Sequence, residues 1–170
     1  MRAPLVNELK ISKSELLTTK GSCFVTIFLN GEVRGAAGNI KEIKNSIAEE
    51  LIENTIEAIV GDSRFDKLSI GDSTSIKIRV DLITNRKVLA RTDDEAKKGI
   101  NTLAKIDPVK NGIIVIKKDY SNTTTILPNI DSKLITGKDY IGILSAKLGE
   151  TFDENKYIIY EIETKIENDY

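Results

Sequence analysis

The residue best suited to chemistry in this sequence is Arg34, set in the stretch Val33-Arg34-Gly35-Ala36-Ala37-Gly38. A guanidinium is permanently charged and presents a planar fork of donors, so it can hold a carboxylate or phosphate through two parallel hydrogen bonds. The competing reading of Arg34 is a structural ion pair with a carboxylate of the same chain. Gly35 and Gly38 point first to a bulge or a close backbone approach. Cys23 is the one thiol, and a lone cysteine is most often a small buried hydrophobe. Asp62-Ser63-Arg64-Phe65 reads as a turn in which Asp62 takes backbone amides and Arg64 braces Asp62 or a helix end. Lys147 lies on an otherwise apolar helical pattern, where it can snorkel to water or present a cation. The candidate ligand-binding residues are therefore Arg34, Gly35, Ala36, Gly38, Cys23, Asp62, Arg64 and Lys147. No catalytic residue is identified, and whether the protein is an enzyme stays open.

Composition narrows the chemistry further. The 170 residues contain no histidine and a single cysteine. That excludes a Ser-His-Asp triad, a Cys-His dyad, a histidine-based metal site, an internal disulfide and cysteine-rich zinc. The acidic run Asp93-Asp94-Glu95 suits the first turn of a helix better than a metal, so neither metal nor cofactor is expected. A formal net charge of −1 gives no basic excess for phosphate backbones, which argues against nucleic-acid binding. With 40% hydrophobic and 30% charged residues the chain reads as globular. No run approaches the ~20 apolar residues of a membrane span, and no secretory segment opens the sequence. The expected location is the cytoplasm.

The elements that must position these residues follow from local patterns. Ser12-Lys13-Ser14-Glu15 has capping-box spacing. Cys23 to Leu29 is a β-branched and aromatic run, and Asn30-Gly31 then supplies the two positive-φ positions of a type I′ hairpin turn. Asn39, with Glu42 three residues on, is placed to cap a long helix. That helix carries Ile40, Ile43, Ile47, Leu51, Ile52, Ile56, Ile59 and Val60 at helical spacing and ends at an αL cap on Gly61. Ile76 to Leu82 alternates as a strand buried on one face. Thr92 to Glu95 is a second capping box, opening a helix with Leu103 and Ala104. Residues 112–116 and 123–127 form another hairpin, 140–148 a helix ending at Gly149, and 157–162 a last strand. Hairpins dominate over βαβ units, so the class is α+β, with antiparallel sheets flanked by helices. At this length the chain fits one domain or two small lobes.

A two-residue turn pairs Leu29 with Glu32, Ile27 with Arg34, Val25 with Ala36 and Cys23 with Gly38. Alternation then puts Cys23, Val25, Ile27, Arg34 and Ala36 on one face. Phe24, Phe28, Val33 and Ala37 share the other, more uniformly apolar face, which is the expected core side.

Several anchors occur in order: Cys23-Phe24-Val25-Thr26, Val33 to Gly38, Asp62 to Phe65, Ile76 to Leu82, Gly112-Ile113-Ile114-Val115 and Leu127-Pro128. Together they resemble the AMMECR-one domain family over roughly residues 21 to 164. The family signature is Leu-Arg-Gly-Cys-Ile-Gly; Val33, Arg34, Gly35 and Gly38 fit it, while Ala36 replaces the cysteine and Ala37 the isoleucine. The resemblance implies two lobes around a cleft that the signature faces. Residues 1–84 plus 151–170 would form the larger lobe and 85–150 the smaller, inserted one. It also implies pathway partners, Memo-like and radical-SAM proteins, without an established reaction. Loss of the signature cysteine favours an accessory binding protein whose cleft, lined by Arg34 to Gly38, takes a protein or peptide. The alternative is an enzyme holding an anionic substrate on Arg34, with Asp62, Lys147 or a tyrosine moving protons.

Overall fold

A computed structural model describes residues 11–69, 71, 75–90 and 102–168. Helix α1 (Lys13–Thr18) is opened by the expected capping box, with Ser12 accepting from the Glu15 amide and the Glu15 side chain returning to the Ser12 amide. Strands β1 (Cys23–Leu29) and β2 (Glu32–Gly38) flank the Asn30-Gly31 turn, where φ is 54° and 86°. Helix α2 covers Ile47–Val60 and strand β3 covers Ile76–Ala90. A short 3₁₀ turn at Leu103–Lys105 precedes β4 (Asn111–Lys117) and β5 (Thr123–Ile126). Helix α3 (Asp139–Leu148) and strand β6 (Tyr157–Asn168) complete the fold.

The strands follow the order β2-β1-β3-β6-β4-β5 in one six-stranded sheet. The pairings β1–β2, β1–β3, β4–β5 and β4–β6 are antiparallel, so the class is α+β. Two compact units divide the chain. One comprises Met1–Ile83 with Lys165–Tyr170, and the other Thr84–Thr164. Residues 151–164, assigned to the larger lobe in the sequence reading, group with the second unit. The capping box at Thr92 to Glu95 and its acidic cluster lie outside the described residues. Among the described residues no helix is long and apolar enough to cross a membrane.

The first unit packs β1 and β3 against α2 through Cys23, Val25, Ile27, Val80, Leu82, Ile47 and Ala58. This corrects the choice of core face: the Cys23-Val25-Ile27 side is fully buried, while Phe24 and Phe28 are only half-buried. The helix differs from its expected form in three ways. It starts at Ile47, capped by Ser46 rather than Asn39, because the Ser46 hydroxyl accepts from the Glu49 amide. Its C-cap Gly61 is right-handed, with φ −102°. Its inward face is Ile47, Glu50, Asn54 and Ala58, whereas Ile52, Ile56 and Val60 point out. Strand β3 also departs from one-sided burial, because Arg79 and Asp81 are buried as well.

The second unit is more conventional. Leu103, Ile113, Val115, Ile126, Tyr140, Leu144, Tyr157 and Ile159 form its apolar centre. Helix α3 ends at Gly149 in the left-handed region, at φ 69°.

Candidate functional site

The β1–β2 hairpin is in register near its turn, with Leu29 opposite Glu32 and Phe28 opposite Val33. The next pair is Ile27 with Gly35, so Arg34 has no opposite number and forms a β-bulge. Beyond it the pairing is one residue off the simple hairpin: Thr26 meets Ala36, Val25 meets Ala37 and Phe24 meets Gly38. The bulge therefore moves Ala36 to the face away from Cys23, and Ala37 to the core face.

Both glycines of the stretch are explained by close approach. A Cβ on Gly35 would stand 1.9 Å from the Ala58 carbonyl oxygen, so the α2 backbone lies directly on β2 at this point. A Cβ on Gly38 would stand 2.2 Å from the Phe24 ring.

The turn after α2 folds back onto this edge strand. Asp62 Oδ2 accepts the Ala36 amide at 2.9 Å, closing an outward donor that the sheet leaves unpaired. Arg64 grips the same carboxylate bidentately, Nε to Oδ1 at 2.8 Å and Nη2 to Oδ2 at 2.6 Å. The Arg64 hydrogen bonds, helped by the Ala36 amide and opposed by burial, hold the Asp62 carboxyl down at about 2. Phe65 presents its ring to two cations. The Arg64 guanidinium carbon is 5.3 Å from the ring centroid and that of Arg34 is 5.8 Å away. Among the described residues, Arg34 has no ion pair and no side-chain hydrogen bond; Phe65 is its contact. The structure thus brings Arg34, Gly35, Ala36, Asp62, Arg64 and the unpredicted Phe65 together.

Beneath this edge lies a polar network that spacing alone does not reveal. Glu50 is fully buried, and its carboxylate takes the Ile43 amide, the Lys44 amide at 2.8 Å and Asn39 Nδ2 at 2.7 Å. Burial pushes the Glu50 carboxyl up, and these donors together with Asn54 outweigh it, leaving it below the usual carboxylate value. Asn54 Nδ2 also donates to the Cys23 carbonyl at 3.1 Å and contacts Sγ at 3.7 Å. Burial raises the Cys23 thiol to about 11, so it is protonated near neutral pH. A second buried pair, Arg79 with Asp81, is bidentate with both contacts at 2.8 Å. The signal for Glu50 and Asn54 in the sequence is a polar residue at otherwise apolar helical spacing; Arg79 and Asp81 fit the alternation of β3 as its polar face and give none.

Lys147 belongs to the second unit, where its ammonium donates to the Thr125 carbonyl at 3.1 Å. Gly38 lines a cavity of about 360 Å³ with Ala36, Asn39, Asn54, Glu53 and Glu57. Among the described residues, the Arg34 guanidinium has Phe65 as its contact, the nearby Asp62 carboxylate is committed to Arg64 and Ala36, and the Cys23 thiol is buried and protonated on the core side of the sheet.

The family described as AMMECR1 matches residues 3–165. Protein CA_C1420 of Clostridium acetobutylicum is 31% identical over 117 residues, which is 69% of this chain and 22% of that protein. The chain thus spans about a fifth of that relative's length. The crystal structure of the uncharacterized protein PH0010 from Pyrococcus horikoshii superposes with a TM-score of 0.75 at 20% identity. It covers 99% of this chain and 80% of its own, and shares the fold.

Proposed function

This chain belongs to the AMMECR1 family, and from that premise we propose that it is an accessory binding protein whose β2 strand receives an anionic group of a partner protein or peptide at Arg34. One observation carries the reading. Arg34 is bulged out of the ladder, half-buried and laid over Phe65, without an acceptor among the described residues, whereas its neighbour Arg64 is taken up by Asp62. A guanidinium held against an aromatic face is partly desolvated and orientationally restricted, which favours a bidentate carboxylate or phosphate over bulk water.

The family signature's thiol is replaced by Ala36, and Cys23 lies on the opposite face with its thiol protonated. Asp62, held ionised by Arg64, is poorly suited to shuttle protons near neutral pH. These features favour holding a ligand over transforming one. Memo-like and radical-SAM proteins, implied by the family resemblance, are the partners to assay first.

Calorimetric titration with a tetraglutamate peptide tests the site. Arg34→Ala is expected to weaken binding about tenfold, roughly 1.4 kcal/mol, with an unchanged melting temperature. Arg34→Lys is expected not to restore it, because an ammonium lacks the fork. If Arg34→Ala lowers the melting temperature and leaves binding unchanged, Arg34 is structural and the reading fails.

A further inference from the structure

Helix α2 is inverted relative to an ordinary surface helix. Its inner face contains the buried polar residues Glu50 and Asn54, while Ile52, Ile56 and Val60 are 62%, 56% and 49% exposed. These three recur every fourth residue and so lie in one row on the outer side of the helix. A single exposed aliphatic side chain is ordinary, but a contiguous row of β-branched ones marks an interaction surface. The row is bordered by a second one, Glu49, Glu53 and Glu57, one residue further along. Lys44 pairs with Glu53, but α2 itself carries four glutamates and no lysine or arginine.

The charge pattern says what can lie there. A second copy of this chain, packed antiparallel on the same ridge, would bring one glutamate row against the other. A segment with its own apolar ridge and a lysine or arginine border meets both rows favourably. The cavity lined by Glu53, Glu57, Asn54 and Gly38 opens beside the acidic row, and its volume of about 360 Å³ has room for the end of a long basic side chain. We propose that the Ile52-Ile56-Val60 ridge and its acidic border form a docking surface for a basic amphipathic helix of a partner protein. This surface stands on α2 and does not depend on the Arg34 reading.

The test uses an 18-residue leucine/lysine amphipathic helical peptide, with a leucine/glutamate peptide of the same pattern as control, followed by fluorescence anisotropy on the full chain. The lysine peptide is expected to bind and the glutamate peptide not. Ile52→Asp and Ile56→Asp are expected to weaken binding at least tenfold each, with circular dichroism unchanged because both side chains are exposed. Each of these changes adds a negative charge, which would tighten a purely electrostatic association; a loss therefore identifies the apolar ridge. Glu57→Lys is expected to weaken binding by about threefold. Unchanged or tighter binding by the Ile variants, or equal binding of both peptides, overturns the proposal. So does sedimentation showing a dimer of the wild-type chain that Ile56→Asp dissociates, because a second copy would then occupy the ridge.

Discussion

Helices α2 and α3 solve the same packing problem in opposite ways. Helix α3 buries Tyr140, Leu144 and Leu148 in an apolar centre, and Tyr140 finds the Asn111 carbonyl at 2.7 Å for its hydroxyl. Helix α2 buries Glu50 and Asn54 and leaves its isoleucines outside. The same contrast separates the two units. Ser22, Thr26, Ser46, Glu50, Asn54, Arg79 and Asp81, the buried polar residues among those described, all belong to the first. Burying charge stabilises little relative to an apolar core and is costly when any partner is missing. In the first unit the buried Glu50 and Asn54 hold the 39–44 loop and the Cys23 carbonyl, and Asp62 holds the edge strand at Ala36.

The contrast can be broken at its strongest point first. Asp81→Ala leaves the Arg79 guanidinium buried beside a lost carboxylate, and is expected to destabilise by about 3–5 kcal/mol in urea unfolding. A loss near zero would mean that the first unit does not depend on this buried ion pair. In the second unit, Leu144→Ala is expected to cost about 3 kcal/mol through the cavity it opens. The matching change in α2, Ile56→Ala, is expected to stay within about 0.5 kcal/mol, because its side chain is already solvated. Equal losses at the two sites would remove the difference between the helices. The smallest effect concerns acid. The Asp62 carboxyl has a folded value of about 2 against an ordinary 3.8, so its contribution is complete above the ordinary value and is lost as pH falls towards 2. Asp62→Asn is expected to flatten that limb of an acid titration followed by fluorescence or circular dichroism, and an unchanged limb would free Asp62 of its role at Ala36.

Features set by neighbouring residues were legible in the sequence. The Asn30-Gly31 turn, the Ser12–Glu15 capping box, the β4–β5 hairpin and the Gly149 cap all depend on residues within one turn of each other. Arg34 and the Asp62–Arg64 turn were visible as candidates, though not their meeting, which joins positions 26 residues apart through the Ala36 amide. Helical periodicity showed that α2 has an apolar row but not which side faces inward. That choice rests on Glu50 gaining amides from the 39–44 loop and Asn54 reaching the Cys23 carbonyl 31 residues away. The simple hairpin register fails beyond Arg34 because one unpaired residue exchanges the faces of everything after it. Its marker in the sequence is Gly35, which stands at both the bulge and the close approach of α2.

That exchange of faces has a practical corollary. Ala36 pairs with Thr26, and Cys23 points to the other side of the same sheet. A cysteine introduced at Ala36 would therefore be unable to reach Cys23 for oxidation, since the two Cβ vectors diverge across the sheet. With Cys23 shielded and protonated, Ala36→Cys gives the native protein a single addressable thiol on β2. A fluorophore or spin label placed there reports from beside Arg34 without a second substitution to silence the natural cysteine.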